Sequence, residues 1–141
     1  MLALLEQNIS FRSDDQGRRM MILDLTRHNR QPRLLKQLSF LLHPESEGII
    51  EIRNLFQNGT KTNTLSISMS LNLNMKTVQP GTNVGDIMRR LNIGSGHAGA
   101  GSGIISCTSK QDMLQRKDEI LSEIMEWCDH PPVAPASASG K

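Results

Sequence analysis

The chain has no tyrosine, one tryptophan and three phenylalanines, an aromatic share of 3%. Phe11, Phe40, Phe56 and Trp127 are too few and too scattered to read as the repeated stacking platforms of single-strand binders. Cysteine is as sparse. Cys107 and Cys128 have no second cluster beside them, which excludes a disulfide framework or zinc site and predicts reduced thiols in a cytoplasmic protein. Long apolar runs are missing too. Met1 to Leu5 is broken by Glu6 and Asn8, short of a signal-peptide core or a membrane span, so a soluble chain with no membrane partner is expected. Neither sign of charge dominates. The 16 basic and 14 acidic residues leave +2, which neither demands nor forbids a nucleic-acid partner. The histidines, His28, His43, His97 and His130, are scattered, without the clustered carboxylates that a hydrolytic metal pair needs. No metal ligand, cofactor or catalytic residue is therefore expected within this chain.

What is present fits one core. With 141 residues and 37% apolar content, the expectation is an α/β fold. It would be a single small domain, a mixed sheet of about four to five strands packed with about three helices. A lead-in segment over 1–19, with a polar loop at Ser13–Gly17, would precede a domain over 20–130. The Pro-, Ala- and Ser-rich residues 131–141 lack apolar bulk and are expected to be disordered.

Met20-Met21-Ile22-Leu23-Asp24-Leu25 reads as a buried strand. Pro32 suits a helix start, with Leu34, Leu35, Leu38, Leu41 and Leu42 at helical spacing until Pro44. Arg27, Arg30, Arg33 and Lys36 approach and enter that helix as a basic stripe. Gly48 to Ile52 is a second strand. In the third, Leu65, Ile67, Met69, Leu71 and Leu73 alternate with Ser66, Ser68, Ser70 and Asn72. Asn58-Gly59 predicts an antiparallel hairpin between these two, with a loop longer than two residues. The uncharged Ser and Asn face suits contact with a ligand or a second domain.

A helix from Asn83 carries Val84, Ile87, Met88 and Leu91 on one side, Asp86 in its first turn and Arg89-Arg90 at its end, charges that complement the helix dipole. Ser109 is placed to cap a last helix with Met113, Ile120, Leu121, Ile124 and Cys128 inward, and Trp127 closing the core edge. Between these helices five of the eleven glycines fall in Gly94-Ser95-Gly96-His97-Ala98-Gly99-Ala100-Gly101-Ser102-Gly103, read as a loop before a short strand at Ile104-Ile105. Gly94-x-Gly96-x-x-Gly99 has the spacing of a dinucleotide fingerprint in reversed context, since a helix precedes it and a strand follows. Bare backbone without Cβ atoms can turn successive N–H groups on an anion, and His97 can donate to a phosphate oxygen. The other reading is a tight structural turn in which His97 bonds a backbone carbonyl.

The stretch Asn83-Val84-Gly85-Asp86-Ile87-Met88-Arg89-Arg90-Leu91, followed by Gly94-Ser95-Gly96-His97-Ala98-Gly99-Ala100, resembles the signature of the DHH-associated C-terminal domain. There a Val-Gly-x-Ile-Ala-x-x-Leu helix leads into Gly-Gly-Gly-His-x-x-Ala-Ala-Gly. The order of elements from Met20 to Trp127 is similar as well. The resemblance implies a substrate-binding domain of DHH-family phosphoesterases, which include RecJ-type exonucleases, oligoribonucleases and exopolyphosphatase-related proteins. Mn or Mg would belong to a separate N-terminal DHH catalytic domain, supplied in cis or trans. It further implies phosphate contacts at Gly94, Gly96 and His97, with Ser95 in place of a glycine and Ala98 and Gly99 completing the loop. The expected ligand is a nucleotide, a short oligonucleotide or single-stranded nucleic acid. Departures are Ser95, Gly101 and Ser102, and Ser70-Leu71-Asn72-Leu73 where the family has Ser-Leu-Arg-Ser. Neutral Asn72 thus replaces an arginine, and Ser68, Ser70 and Asn72 form a weaker polar wall that Arg89, Arg90 or the basic stripe would supplement. Two rival readings stand beside this one. One is a degenerate interaction or homodimerisation module; the other is a small hydrolase using His97 as general base.

Overall fold

Ile67 and Met69 are fully buried while Ser66, Ser68 and Ser70 between them are half-exposed, the alternation that sequence predicts for a strand with one wet face. That strand lies inside a six-stranded sheet of order β1-β2-β3-β4-β6-β5. The computed structural model describes residues 6–13, 19–28, 39–72 and 83–129. They form β1 (Ile9–Ser13), β2 (Arg19–Asp24), α1 (Ser39–Leu42), β3 (Gly48–Gln57), β4 (Thr60–Leu71), α2 (Val84–Arg90), β5 (Gly94–His97), β6 (Ala100–Ser106) and α3 (Lys110–Asp129). The helix start at Pro32, Arg30, Arg33, Lys36, Leu73, His130, the tail and the Cys128 side chain lie outside the described residues.

The sheet is mixed. β2 and β3 are parallel and every other neighbouring pair is antiparallel. The class is the expected one, with more strands than the four to five anticipated. One addition is β1, which lies in the lead-in segment and pairs Ile9 with Leu23 and Phe11 with Met21. The hairpin loop is shorter than expected. Asn58 and Gly59 alone connect β3 to β4, with φ of 51° and 78°, the left-handed values that a two-residue turn of this kind requires. β3 runs on past Ile52 to Gln57, with an irregularity in register between Asn54 and Phe56.

One face of the sheet carries the main core. Ile22, Ile50, Ile52, Leu65, Ile67 and Met69 meet Val84, Ile87 and Met88 of α2 and Met113, Ile120, Leu121 and Ile124 of α3. Each such side chain contributes about 1.5–3 kcal/mol by leaving water. Trp127 packs at the margin of this core, with the Arg90 guanidinium 5.2 Å from its ring centroid. The other face has a smaller cluster only, Met21, Leu23, Leu25 and Ile49 with Phe40 and Phe11 against it. That cluster sits on β1, β2 and β3; across β4, β6 and β5 the same face changes character.

Both longer helices are capped from their own sequence. Asp86 N–H donates to Asn83 Oδ1 at 3.0 Å, and Asp112 N–H to Ser109 Oγ at 3.0 Å. Among the described residues no helix is long and apolar enough to cross a membrane.

Candidate functional site

The glycine segment is a β-hairpin, which corrects the loop expectation. Gly94 pairs with Gly103, Ser95 with Ser102, Gly96 with Gly101 and His97 with Ala100, so Ala98-Gly99 is the turn and the strand begins before Ile104. The physical reason is a period of two. Gly94, Gly96, Gly101 and Gly103 share one side of the ribbon, and Ser95, His97, Ala100 and Ser102 the other. The glycine side is where α2 lies. A Cβ on Gly85 of α2 would strike the Gly96 carbonyl, and one on Gly101 would sit 3.1 Å from the Val84 side chain. Val84 N–H donates to Ala98 O at 3.0 Å, and Arg89 Nη1 to Gly96 O at 3.1 Å. These glycines therefore admit a helix directly onto backbone.

The opposite side of the ribbon continues the serine face of β4. In register, Ser70, Ala100 and His97 form one cross-strand row, and Ser68, Ser102 and Ser95 the next. A third row sets Ser66 beside Ile104, which is 55% exposed. On β3 these rows meet Ile49, Glu51 and Arg53, and the last two form an ion pair of 3.0 Å that borders the face. The result is a surface of small side chains and hydroxyls with one imidazole at its edge.

His97 is exposed, and Gly99 N–H donates to its Nδ1 at 3.3 Å. A nitrogen that accepts carries no proton, so the neutral ring keeps its proton on Nε2, where it is available as a donor. The imidazole does bond backbone in a tight turn, but as acceptor from the Gly99 amide and not as donor to the carbonyl expected from sequence.

The remaining residues singled out from sequence are not brought to this face. Asn72 is 5% exposed and donates from Nδ2 to Pro44 O at 3.1 Å and Ser46 O at 3.0 Å, fastening the segment that leads into β3. Arg89 pairs with Asp86 at 2.7 Å besides its bond to Gly96 O, and Arg90 stacks on Trp127. Both arginines belong to α2, on the far side of the sheet. Sequence reasoning missed Ala100 and Ser102, whose signal was the same two-residue period. Among the described residues no three His, Cys, Asp or Glu side chains cluster to hold a metal ion.

No family model and no curated protein matches the chain. Solved structures do match. A pGpG-specific phosphodiesterase, PggH from Vibrio cholerae, superposes with a TM-score of 0.64 at 18% identity, over 87% of this chain and 37% of that one. A member of the s1p family of ribosomal proteins, described by its DHH domain, superposes with a TM-score of 0.55 at 15% identity, over 92% of this chain and 29% of that one. The chain therefore spans about a third of the length of the proteins it is similar to. At these identities the likeness is one of fold, and the fold is that of a DHH-associated domain.

Proposed function

We propose that the chain is the substrate-binding part of a DHH-family phosphoesterase and holds a phosphate of a nucleotide or short oligonucleotide on the Ser70–Ala100–His97 row. The observation that carries this reading is the outward side of the glycine hairpin, where Nε2 of His97 is a free-facing donor and Ser70, Ser95 and Ser102 supply hydroxyls. α2 lies against the glycine side and fixes the ribbon, so the donors are held before a ligand arrives. A DHH catalytic domain with Mn or Mg, in cis or trans, would carry out hydrolysis; this chain would bind in the cytoplasm and orient.

Titration of the protein with a guanosine dinucleotide, followed by backbone amide shifts, tests this. Shifts are expected at Ser70, Ser95 to Gly99 and Ser102, and His97→Ala weakens binding about tenfold, the worth of one good hydrogen bond to a charged group. Silence across the hairpin at millimolar dinucleotide overturns the reading.

A second reading has its own observation. Ile104 is more than half exposed on the same face, beside uncharged serines, a composition that suits docking to protein. An interaction or homodimerisation module predicts a mass in sedimentation above that of the monomer, reduced by Ile104→Asp. It also predicts no gain in Tm from dinucleotide, whereas a bound ligand at a hundred times Kd adds about 2.7 kcal/mol.

A further inference from the structure

The end of the sheet remote from the His97 turn carries a different surface. Lys61 and Ser70 are nine residue steps apart on β4, about 30 Å along a strand. Phe56 and Lys61 are direct cross-strand partners, so their side chains share a face, and the phenyl ring is half-buried. Lys61 Nζ donates to the Thr26 carbonyl. Lys117 Nζ, reaching over from α3, donates to Thr26 Oγ1 at 3.2 Å and pairs with Asp24 at 2.7 Å. Arg27, exposed, donates to Asn8 Oδ1 at 3.2 Å. Lys110, exposed, opens α3 close by. Burial first, then the charge of Lys110, hold the Lys61 ammonium below its ordinary value; Asp24 acts against them and Lys117 with them.

The charges do not balance. Lys61, Lys110 and Lys117 share the single carboxylate of Asp24, Arg27 follows Thr26 in the chain, and Lys61 and Arg27 rest on neutral oxygens. Asp112, the acid in the first turn of α3, accepts from the amide and hydroxyl of Thr108 at 2.9 and 3.2 Å. Ammonium groups on flexible stems act as point charges that follow irregularly placed anions, and an aromatic face beside them is what an unpaired base stacks on. An acidic peptide would use the cations but leave the ring without a role.

We propose that this end of the sheet is a second binding surface, separate from the His97 face, which holds the sugar-phosphate backbone of single-stranded nucleic acid on Arg27, Lys61 and Lys110 and one base on Phe56. The sparse aromatic content of the chain argues against repeated stacking, and one ring beside a cation cluster is all this contact needs.

Fluorescence anisotropy of the whole chain with a labelled oligouridylate of about twelve nucleotides tests it, across a salt series. The double variant Lys61→Gln/Lys110→Gln is expected to weaken binding and to reduce the slope of log K against log salt by about 1.4, the share of two phosphate contacts. Phe56→Leu costs about tenfold in affinity. Lys110→Gln alone, at an exposed position with no bond to Thr26, keeps the test valid if the double variant melts early. The same slope difference persists with guanosine dinucleotide saturating the His97 row, which separates this surface from the dinucleotide reading. An unchanged slope in the lysine variants, equal affinity for a duplex of the same length, or equal competition by polyglutamate overturns the proposal.

Discussion

Asp24 ends β2 on the core side of the sheet, and its carboxylate accepts three hydrogen bonds. Lys117 Nζ lies 2.7 Å from Oδ2, while the Thr26 hydroxyl and amide donate to Oδ1 at 2.6 and 2.9 Å. Burial pushes this carboxyl up, but the bonds from Lys117 and Thr26 and the Lys117 charge outweigh it, and the net direction is down from 3.8. A carboxyl depressed in the folded state stabilises fully above its unfolded value, and that contribution disappears as pH falls through the folded value. Lys117→Met is therefore expected to lose about 2 kcal/mol near neutral pH, the worth of a hydrogen bond to a charged group. In urea melts the deficit should shrink below about pH 4 as the wild-type carboxylate protonates. A deficit constant from pH 7 to pH 2 would mean that Lys117 acts through packing alone.

At the scale of elements, the informative case is the contact of α2 with the β5–β6 hairpin. Gly85 lies where any Cβ would meet the Gly96 carbonyl, which is backbone and cannot swing aside. Gly85→Ala is expected to cost about 1–3 kcal/mol as overpacking. It should also displace the hairpin, and with it His97, so that dinucleotide affinity falls together with stability. Gly59 is the contrast: its φ is +78° with open space around the missing Cβ, so Gly59→Ala carries only the left-handed backbone penalty, about 1–2 kcal/mol. Ligand binding should be untouched there. Equal effects of the two on dinucleotide affinity would remove the hairpin from the site. The same elements show what was legible beforehand. The alternation in β4, the Asn83 and Ser109 caps and the inward stripes of α2 and α3 could be read because each local preference agrees with the tertiary environment. The hairpin could not, since glycine is a poor strand former by propensity and its two-residue period serves packing against a helix. The alternation legible in β3 ends at Ile52 because the register is irregular between Asn54 and Phe56. Parity alone assigns Asn72 to the polar face. Its burial against the carbonyls of Pro44 and Ser46 depends on a segment distant in sequence.

For the molecule as a whole, the sheet has a gradient of support. β3 and β4 are hydrogen-bonded on both sides and carry most of the main core, whereas β1 and β5 are edges, and β5 is four residues of exposed backbone. Native-state amide exchange should accordingly be slowest at Ile50, Ile52, Leu65 and Ile67, where opening requires global unfolding, and fast in β1 and β5, which open locally. The two proposed surfaces sit at opposite ends of this sheet, and the gradient distinguishes their effects. Dinucleotide held on the His97 row ties β5 to β6 and β4, so it should slow exchange in β5 and the Ala98-Gly99 turn while leaving β1 unchanged. Oligouridylate bound at Lys61 and Phe56 should protect the Asn58-Gly59 hairpin end instead. Equal slowing of β1 and β5 by dinucleotide would indicate uniform stabilisation by mass action, and the ligand would then have to be sought away from the serine and histidine face.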